Sequence, residues 1–365
     1  MAGRIVVFGA TGYTGRNTAE RLVARGERPV LAARNVERVR ALGDELGGLE
    51  VAIADVGRPE SVRDLVEAGD VLVATVGPFG RWGDPAAEAA IAAGAHYIDS
   101  TGEAAFIRRV FEHFGPRAKA AGIGMVTAFG FDWVPGNLAA ALALREAGDA
   151  AARVRVGYFS PGEIKGSGGT MATIASSTLE PAFAWRDGRL VTERSTKRYA
   201  TFDVNGRERP AVSVGSSEHF TLPRLNPRLR EVDSYLGWFG AASRPMQVMS
   251  AGLAAVTAIP GVREGLIGLA GRLVKGSTGG PDEEMRAKSG SYAVATVFDD
   301  AGGELAEVRV DGGNAYDFTF GILAWGASVA AKGGLRGAGA VGPAEGFGLD
   351  ELEAGCREAG LERVG

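Results

Sequence analysis

The residues best suited to chemistry stand near the start of the chain. Gly9-Ala-Thr-Gly12-Tyr-Thr-Gly15 follows the apolar run Ile5-Val-Val-Phe8 and opens a helix-like stretch. A dinucleotide pyrophosphate needs backbone N–H groups at a helix N-terminus and no side chain in its way, which glycines at these points provide. Thr11, Tyr13 and Thr14 lie between them and share the ligand's surface. The spacing is GxxGxxG, not the commoner GxGxxG, so the motif carries weight because strand, turn and helix surround it. The second apolar run ends at Ala33-Arg34, where a domain preferring NAD usually has an acid for the ribose 2′-hydroxyl. Arg34 suits a 2′-phosphate instead, through charge-assisted bonds, with Arg38 one helical turn further. NADP is the expected cofactor. Asp55, at the end of the third strand, is placed to approach the adenine edge, and Gly77-Pro78-Phe79-Gly80 lets a cofactor pass over the sheet edge after the fourth. Both segments read equally well as plain turn chemistry.

A nicotinamide in a doubly wound domain sits beyond the carboxyl ends of the later strands. Asp99 and Glu103 fall at such an end, where they can orient substrate or relay a proton if burial raises a carboxyl pKa, or else cap the next helix. Asp132 stands between Phe131 and Trp133, which would desolvate it. It is a candidate polar contact to substrate or nicotinamide, or a tie for the turn at Pro135-Gly136 and a cap for the helix from Asn137. Lys165-Gly-Ser-Gly-Gly-Thr170 precedes a helix-like stretch. Lys165, Ser167, Thr170 and the Gly169 backbone can hold a substrate carbonyl or carboxylate there, with Lys165 as a general acid, or Lys165 is an exposed loop lysine. His96, His113 and His219 share no ligand spacing and Cys356 is the single cysteine, so no metal centre is expected. Neither a Tyr-x-x-x-Lys pair nor a Ser-His-Asp set is legible, which leaves the catalytic acid unidentified.

These residues need elements to hold them. Pro29 to Ala33, Val51 to Ala54, Val71 to Thr75, His96 to Ile98 and Gly124 to Ala128 read as strands like the first. Helix-like stretches alternate with them over Asn17 to Ala24, Val36 to Leu46 capped by Asn35, Ser61 to Ala68, Ala86 to Ala93 and Ala105 to Ala121. Strands without polar alternation, separated by helices, predict a doubly wound, Rossmann-type parallel sheet covered on both faces. From about Arg153 the pattern changes to an inserted α+β region with an antiparallel sheet. Its strands are Val154 to Tyr158, Ala211 to Val214 and Ser291 to Phe298, the last paired with Glu304 to Val310 through a turn at Asp299-Asp-Ala-Gly-Gly303, and a helix over Thr170 to Phe183 interrupts them. The division is a dinucleotide-binding domain over 1–150, a substrate domain over 151–315 and a C-terminal return over 316–365 that packs on the first domain, with helices over Asp317 to Ala331 and Leu349 to Ala359.

Composition narrows the classes. The 365 residues exceed one ordinary core, and a net charge of −4 leaves no electrostatic footprint for nucleic acid. One cysteine excludes a disulfide framework and suits a cytoplasmic protein. Arg4 is followed by only four apolar residues before Gly9, far short of a targeting segment. Met246 to Ala270 is the notable apolar region, broken by Pro260 and too short to span a bilayer. It reads as a packed helix, an acyl-chain tunnel, a peripheral membrane contact or a homodimer surface.

The chain resembles the saccharopine dehydrogenase-like oxidoreductases, including their branch of trans-acting enoyl reductases. The matching pieces are Gly9 to Gly15, Thr75-Val-Gly-Pro-Phe79, Tyr97-Ile-Asp-Ser-Thr-Gly-Glu103, Gly130-Phe-Asp-Trp-Val-Pro-Gly-Asn137 and Ser167-Gly-Gly-Thr170, with Tyr235-Leu-Gly-Trp238 as a weaker extension. The resemblance implies an NADP-binding Rossmann domain, an inserted substrate domain and a C-terminal return. It implies hydride transfer to an apolar conjugated acceptor, an enoyl, polyketide or lipid-like C=C, free or carrier-bound. An opine- or imine-type reduction of C=N is the alternative within the family, and a non-catalytic NADP sensor or scaffold the alternative outside it.

Overall fold

Short apolar runs flanked by helices build the first sheet. The computed structural model describes residues 3–160, 181–257 and 279–364. Strands β1 (Ile5–Phe8), β2 (Val30–Ala33), β3 (Val51–Ile53), β4 (Val71–Ala74), β5 (His96–Asp99) and β6 (Gly124–Val126) are parallel in the order β6-β5-β4-β1-β2-β3. All residues of β1, β2 and β4 are buried, because helices cover both faces. The order reverses direction between β1 and β4, and the crevice outside the carboxyl ends at that switch is where ligands of open α/β sheets bind.

The helices follow the sequence with instructive differences. Helix Tyr13–Ala24 begins inside the glycine motif, four residues before the apolar periodicity shows it. Asn35 Oδ1 accepts from Arg38 N–H at 2.8 Å and starts helix Val36–Glu45 as expected. The helix expected over Ser61 to Ala68 is the shorter Pro59–Arg63. The one expected over Ala105 to Ala121 divides into Ala104–Arg109, a π-helical turn Val110–Phe114 and Gly115–Ala120. Pro116 has no N–H for the carbonyl four residues back, and the ladder widens there, with Gly115 N–H reaching the Val110 carbonyl.

The second sheet is built from β7 (Arg153–Phe159), β8 (Ala182–Arg186), β9 (Arg189–Glu193), β10 (Tyr199–Val204), β11 (Arg207–Val214), β12 (Glu231–Leu236), β13 (Ser291–Phe298) and β14 (Glu304–Gly312). It is mixed and not purely antiparallel, since β7 and β12 pair in parallel. A crossover containing helix Glu218–Leu225 lies between them, and such a long connection permits parallel pairing. The expected β13–β14 hairpin is present, its turn closed by Asp299 N–H on the Gly303 carbonyl at 2.9 Å. Of the helix expected over Thr170 to Phe183, residues up to 180 lie outside the described residues, and Ala182 and Phe183 belong to β8, where Phe183 is buried.

The chain's end serves both sheets. Helix Ala315–Ala331 lies against helix Tyr13–Ala24, β15 (Gly339–Ala340) extends the first sheet beside β6, and β16 (Leu361–Val364) pairs with β14. Helix Val134–Ala147, which follows β6, packs on β13, β14 and β7 of the second sheet and is buried from Val134 to Leu144. Gly136 is required in it, because a Cβ there would fall 2.2 Å from the Tyr158 hydroxyl oxygen on β7. Of the Met246 to Ala270 region, residues 246–257 belong to helix Ser243–Thr257 and the remainder lies outside the described residues. No helix among the described residues is long and apolar enough to cross a membrane.

Candidate active site

The glycine turn forms a cradle that side chains cannot enter. A Cβ on Gly15 would lie 2.3 Å from the Gly9 carbonyl oxygen, and one on Gly9, where φ is +93°, would lie 2.7 Å from Thr75 Oγ1. Thr75 in turn donates its hydroxyl to the Phe8 carbonyl at 2.9 Å, joining the ends of β1 and β4 at the switch point. Helix Tyr13–Ala24 has Gly12 as its N-cap, no side-chain cap and no acid in its first turn, so its leading N–H groups face the crevice uncapped. That donor set fits a pyrophosphate. Arg34 is exposed at the end of β2 and has no hydrogen bond or ion pair among the described residues, which fits a 2′-phosphate. Arg34→Ala is therefore expected to weaken NADPH binding about 10- to 100-fold, the worth of one or two charge-assisted bonds, and to leave NADH within a factor of about two. Calorimetric titration with both dinucleotides checks it, and equal losses for the two would refute the assignment.

Other expected contacts are placed less directly. Asp55 Oδ1 accepts from Gly57 N–H at 2.9 Å, the turn chemistry that was its alternative. Gly77 is exposed and Pro78 half-buried at the crevice rim, with a cis peptide between them. Lys165, Ser167, Gly169 and Thr170 lie outside the described residues.

Asp99 and Glu103 hold loops together. The Asp99 carboxylate, wholly buried, accepts from Thr101 N–H at 2.9 Å, Ala128 N–H at 3.0 Å and the Thr127 hydroxyl at 2.7 Å, binding the end of β5 to that of β6. Burial raises its pKa to about 6, against the lowering pull of those donors. Glu103 precedes helix Ala104–Arg109 yet gives it no side-chain cap. Its carboxylate accepts instead from Phe79 N–H at 2.6 Å and Gly80 N–H at 2.9 Å and fixes the loop after β4. Burial also raises its pKa.

Asp132 is different. It does not cap the following helix, and its Oδ1 is buried with no hydrogen-bond partner among the described residues. Its Oδ2 lies so close to Gly102 that a Cβ on that residue would fall 2.9 Å away. Burial raises its pKa to about 7, and among the described residues no cation acts on it. Two residues that sequence reasoning passed over complete the group. Tyr158, buried on β7, accepts from Gly136 N–H at 2.9 Å and is hydrogen-bonded to Glu218 Oε1, with the Trp133 carbonyl 2.9 Å from its hydroxyl. Glu218, at the start of helix Glu218–Leu225, is fully buried, its Oε2 has no partner among the described residues, and burial raises its pKa to about 7. Asn137 braces the arrangement through Ser217 Oγ at 2.9 Å and the Thr221 hydroxyl at 2.5 Å. Tyr158 reads in sequence as one more core aromatic and Glu218 as an ordinary first-turn acid. The signal available was two acids with aromatic or small neighbours, Asp132 between Phe131 and Trp133 and Glu218 between Ser217 and His219.

Two carboxyls that ionise more easily in the unfolded chain give stability a slope. A raised native pKa means the folded state binds more protons, so stability is highest below the ordinary carboxyl range and falls as pH rises towards the native value. The unliganded protein should lose stability between about pH 4.5 and about pH 7. Glu218→Gln should flatten part of that slope in urea titrations across the window, and an unchanged slope would contradict the burial of the charge.

The comparisons agree with this geometry. Residues 5–126 match the family model of the saccharopine dehydrogenase NADP binding domain. A Mycobacterium tuberculosis protein named as a candidate trans-acting enoyl reductase is 31% identical over 300 residues, covering 74% of this chain and 72% of that one. The trans-acting enoyl reductase of Mycobacterium ulcerans is 36% identical over 140 residues, 37% of this chain and about a third of its own length (34%). The fold is shared with saccharopine dehydrogenase (L-Glu forming) of Saccharomyces cerevisiae, at a TM-score of 0.60 and 13% identity with both chains covered in full. The cradle, the second sheet beside it and these matches show that the chain belongs to the saccharopine dehydrogenase-like family of NADP-dependent oxidoreductases, in the branch of the trans-acting enoyl reductases.

Proposed function

We propose that the protein reduces the C=C of an apolar enoyl thioester, free or carrier-bound, with residues 1–150 holding the cofactor and 151–315 covering the acceptor. The observation that carries this reading is an acid cluster without cations: neither Asp132 nor Glu218 has a basic group acting on it among the described residues, and burial raises both carboxyls to about 7, so that a proton-bearing form is present at neutral pH. Such a site suits protonation of an enolate carbon. It does not suit capture of an amino-acid carboxylate, which calls for arginine. The names of the mycobacterial relatives point the same way.

The Gly9 to Gly15 turn and Arg34 would hold NADPH, which would supply the hydride that the acceptor's β-carbon needs. Asp132 gives the proton from its carboxyl to the α-carbon as the C=C electron pair moves there, becomes a carboxylate, and regains a proton from solvent. Asp99 and Glu103 hold the loops after β4, β5 and β6 around that proton, and act by position. The test is NADPH oxidation by the purified chain with 2-enoyl thioesters of increasing length, against amino acids paired with 2-oxo acids. Turnover with the enoyl thioesters supports the reading. Turnover only with the amino-acid pairs moves it to C=N chemistry, and turnover with neither class sinks it.

A further inference from the structure

The dinucleotide turn is pinned from outside by a segment that leads into the second sheet. Gly280 lies against the ring of Tyr13, the first residue of helix Tyr13–Ala24: a Cβ on Gly280 would fall 2.5 Å from Tyr13 Cε1. The Tyr13 hydroxyl donates to the Pro281 carbonyl at 2.6 Å and accepts from Arg286 Nη1 at 3.1 Å. Arg286 Nη1 also reaches the Pro281 carbonyl at 3.0 Å, and its Nε donates to Asp317 Oδ1 at 3.0 Å on helix Ala315–Ala331. From that same helix Tyr316 and Phe320 meet the Tyr13 ring edge-on, with centroids 5.4 and 5.5 Å away. Asp282 caps the short helix Glu283–Ala287, and Asn314 Nδ2 donates to Ser289 Oγ at 2.6 Å, tying down the far end of the segment.

We propose that residues 279–288 are a clasp that retains the bound dinucleotide, with Tyr13 as its pin and Arg286 as its lock. The inference concerns the cofactor turn and stands apart from the identity of the acceptor. Tyr13 opens the helix whose uncapped N–H groups receive the pyrophosphate, so fixing its hydroxyl fixes that first turn in its receptive shape. A clasp over a preformed turn acts mainly on the rate of departure. It continues into β13, the neighbour of the strand carrying Tyr158, and so joins the second sheet to the cofactor's seat.

Tyr13→Phe keeps the ring among Tyr316 and Phe320 and removes only the hydroxyl. In stopped-flow displacement of NADPH and of NADH it should speed dissociation of both about tenfold, because the pyrophosphate is common to the two and the lost hydrogen bonds are of ordinary strength. Arg286→Gln should act in the same direction from the other side, and the double variant should match the larger single effect. Arg34→Ala is the contrast, acting on NADPH alone. Melting temperatures report whether each variant is folded, and Arg286→Gln decides alone if Tyr13→Phe is not. Dissociation rates within twofold of the unsubstituted protein for both cofactors, or an effect confined to NADPH, would overturn the proposal.

Discussion

Asp132→Asn is expected to lower kcat by about 10²- to 10⁴-fold with NADPH affinity unchanged, the range that loss of a positioned general acid gives. The amide keeps the shape of the carboxyl but has no proton to give. The pH dependence separates this from a structural role. Burial holds the Asp132 pKa at about 7, so the unsubstituted enzyme carries its proton below that value and its kcat should fall as pH rises through it. The residual rate of Asp132→Asn should be flat across the same window. Stability should move the other way: removing a buried carboxyl with an unpartnered Oδ1 should stabilise the fold by about 1–2 kcal/mol above pH 7, where the parent must hold a charge there. Pre-steady-state rates and melting curves at pH 6 and pH 8 test both halves. A variant that is less stable and equally active would show that Asp132 only ties the turn.

The second large effect concerns the cradle. Gly15→Ala places a methyl 2.3 Å from the Gly9 carbonyl oxygen and 2.7 Å from Thr75 Oγ1, and backbone cannot yield as a side-chain tip can. Helix and turn must separate, which should cost about 1–3 kcal/mol of stability and weaken both dinucleotides about 100-fold, since the N–H groups leave their common focus. Gly12→Ala is the graded control, because its Cβ would meet only the Gly9 carbonyl oxygen, at 3.2 Å. Calorimetry on the two variants should rank Gly15→Ala as the far weaker binder. Binding by Gly15→Ala within threefold of the parent would mean the pyrophosphate lies elsewhere.

The cofactor half of the site was legible because it is local. Strand, glycine turn and helix run without a break from Ile5 to Ala24, and Gly12 and Gly15 close on the Gly9 carbonyl within that stretch. The second sheet was legible as a class but not in its pairing. The parallel contact of β7 with β12 depends on a crossover whose length sequence shows and whose path it does not. Helix starts were displaced where a cap-less glycine turn, at Gly12, or a proline, at Pro116, mattered more than periodicity.

The carboxylates show the same boundary. Sequence placed Asp99, Glu103 and Asp132 at strand ends, yet their duties depend on which distant N–H groups arrive. Glu103 is occupied by Phe79 and Gly80, and Asp99 by residues after β6, while no described residue reaches Asp132 Oδ1. Glu218 and Tyr158 join Asp132 only because Gly136 lets helix Val134–Ala147 sit against β7. The order of apolar runs and the glycine spacing thus determined by themselves a doubly wound domain and its dinucleotide turn, since both follow from neighbours along the chain. Tertiary structure alone decided which carboxyl is desolvated and left without a partner among the described residues, because desolvation and partner supply come from residues that only folding brings together.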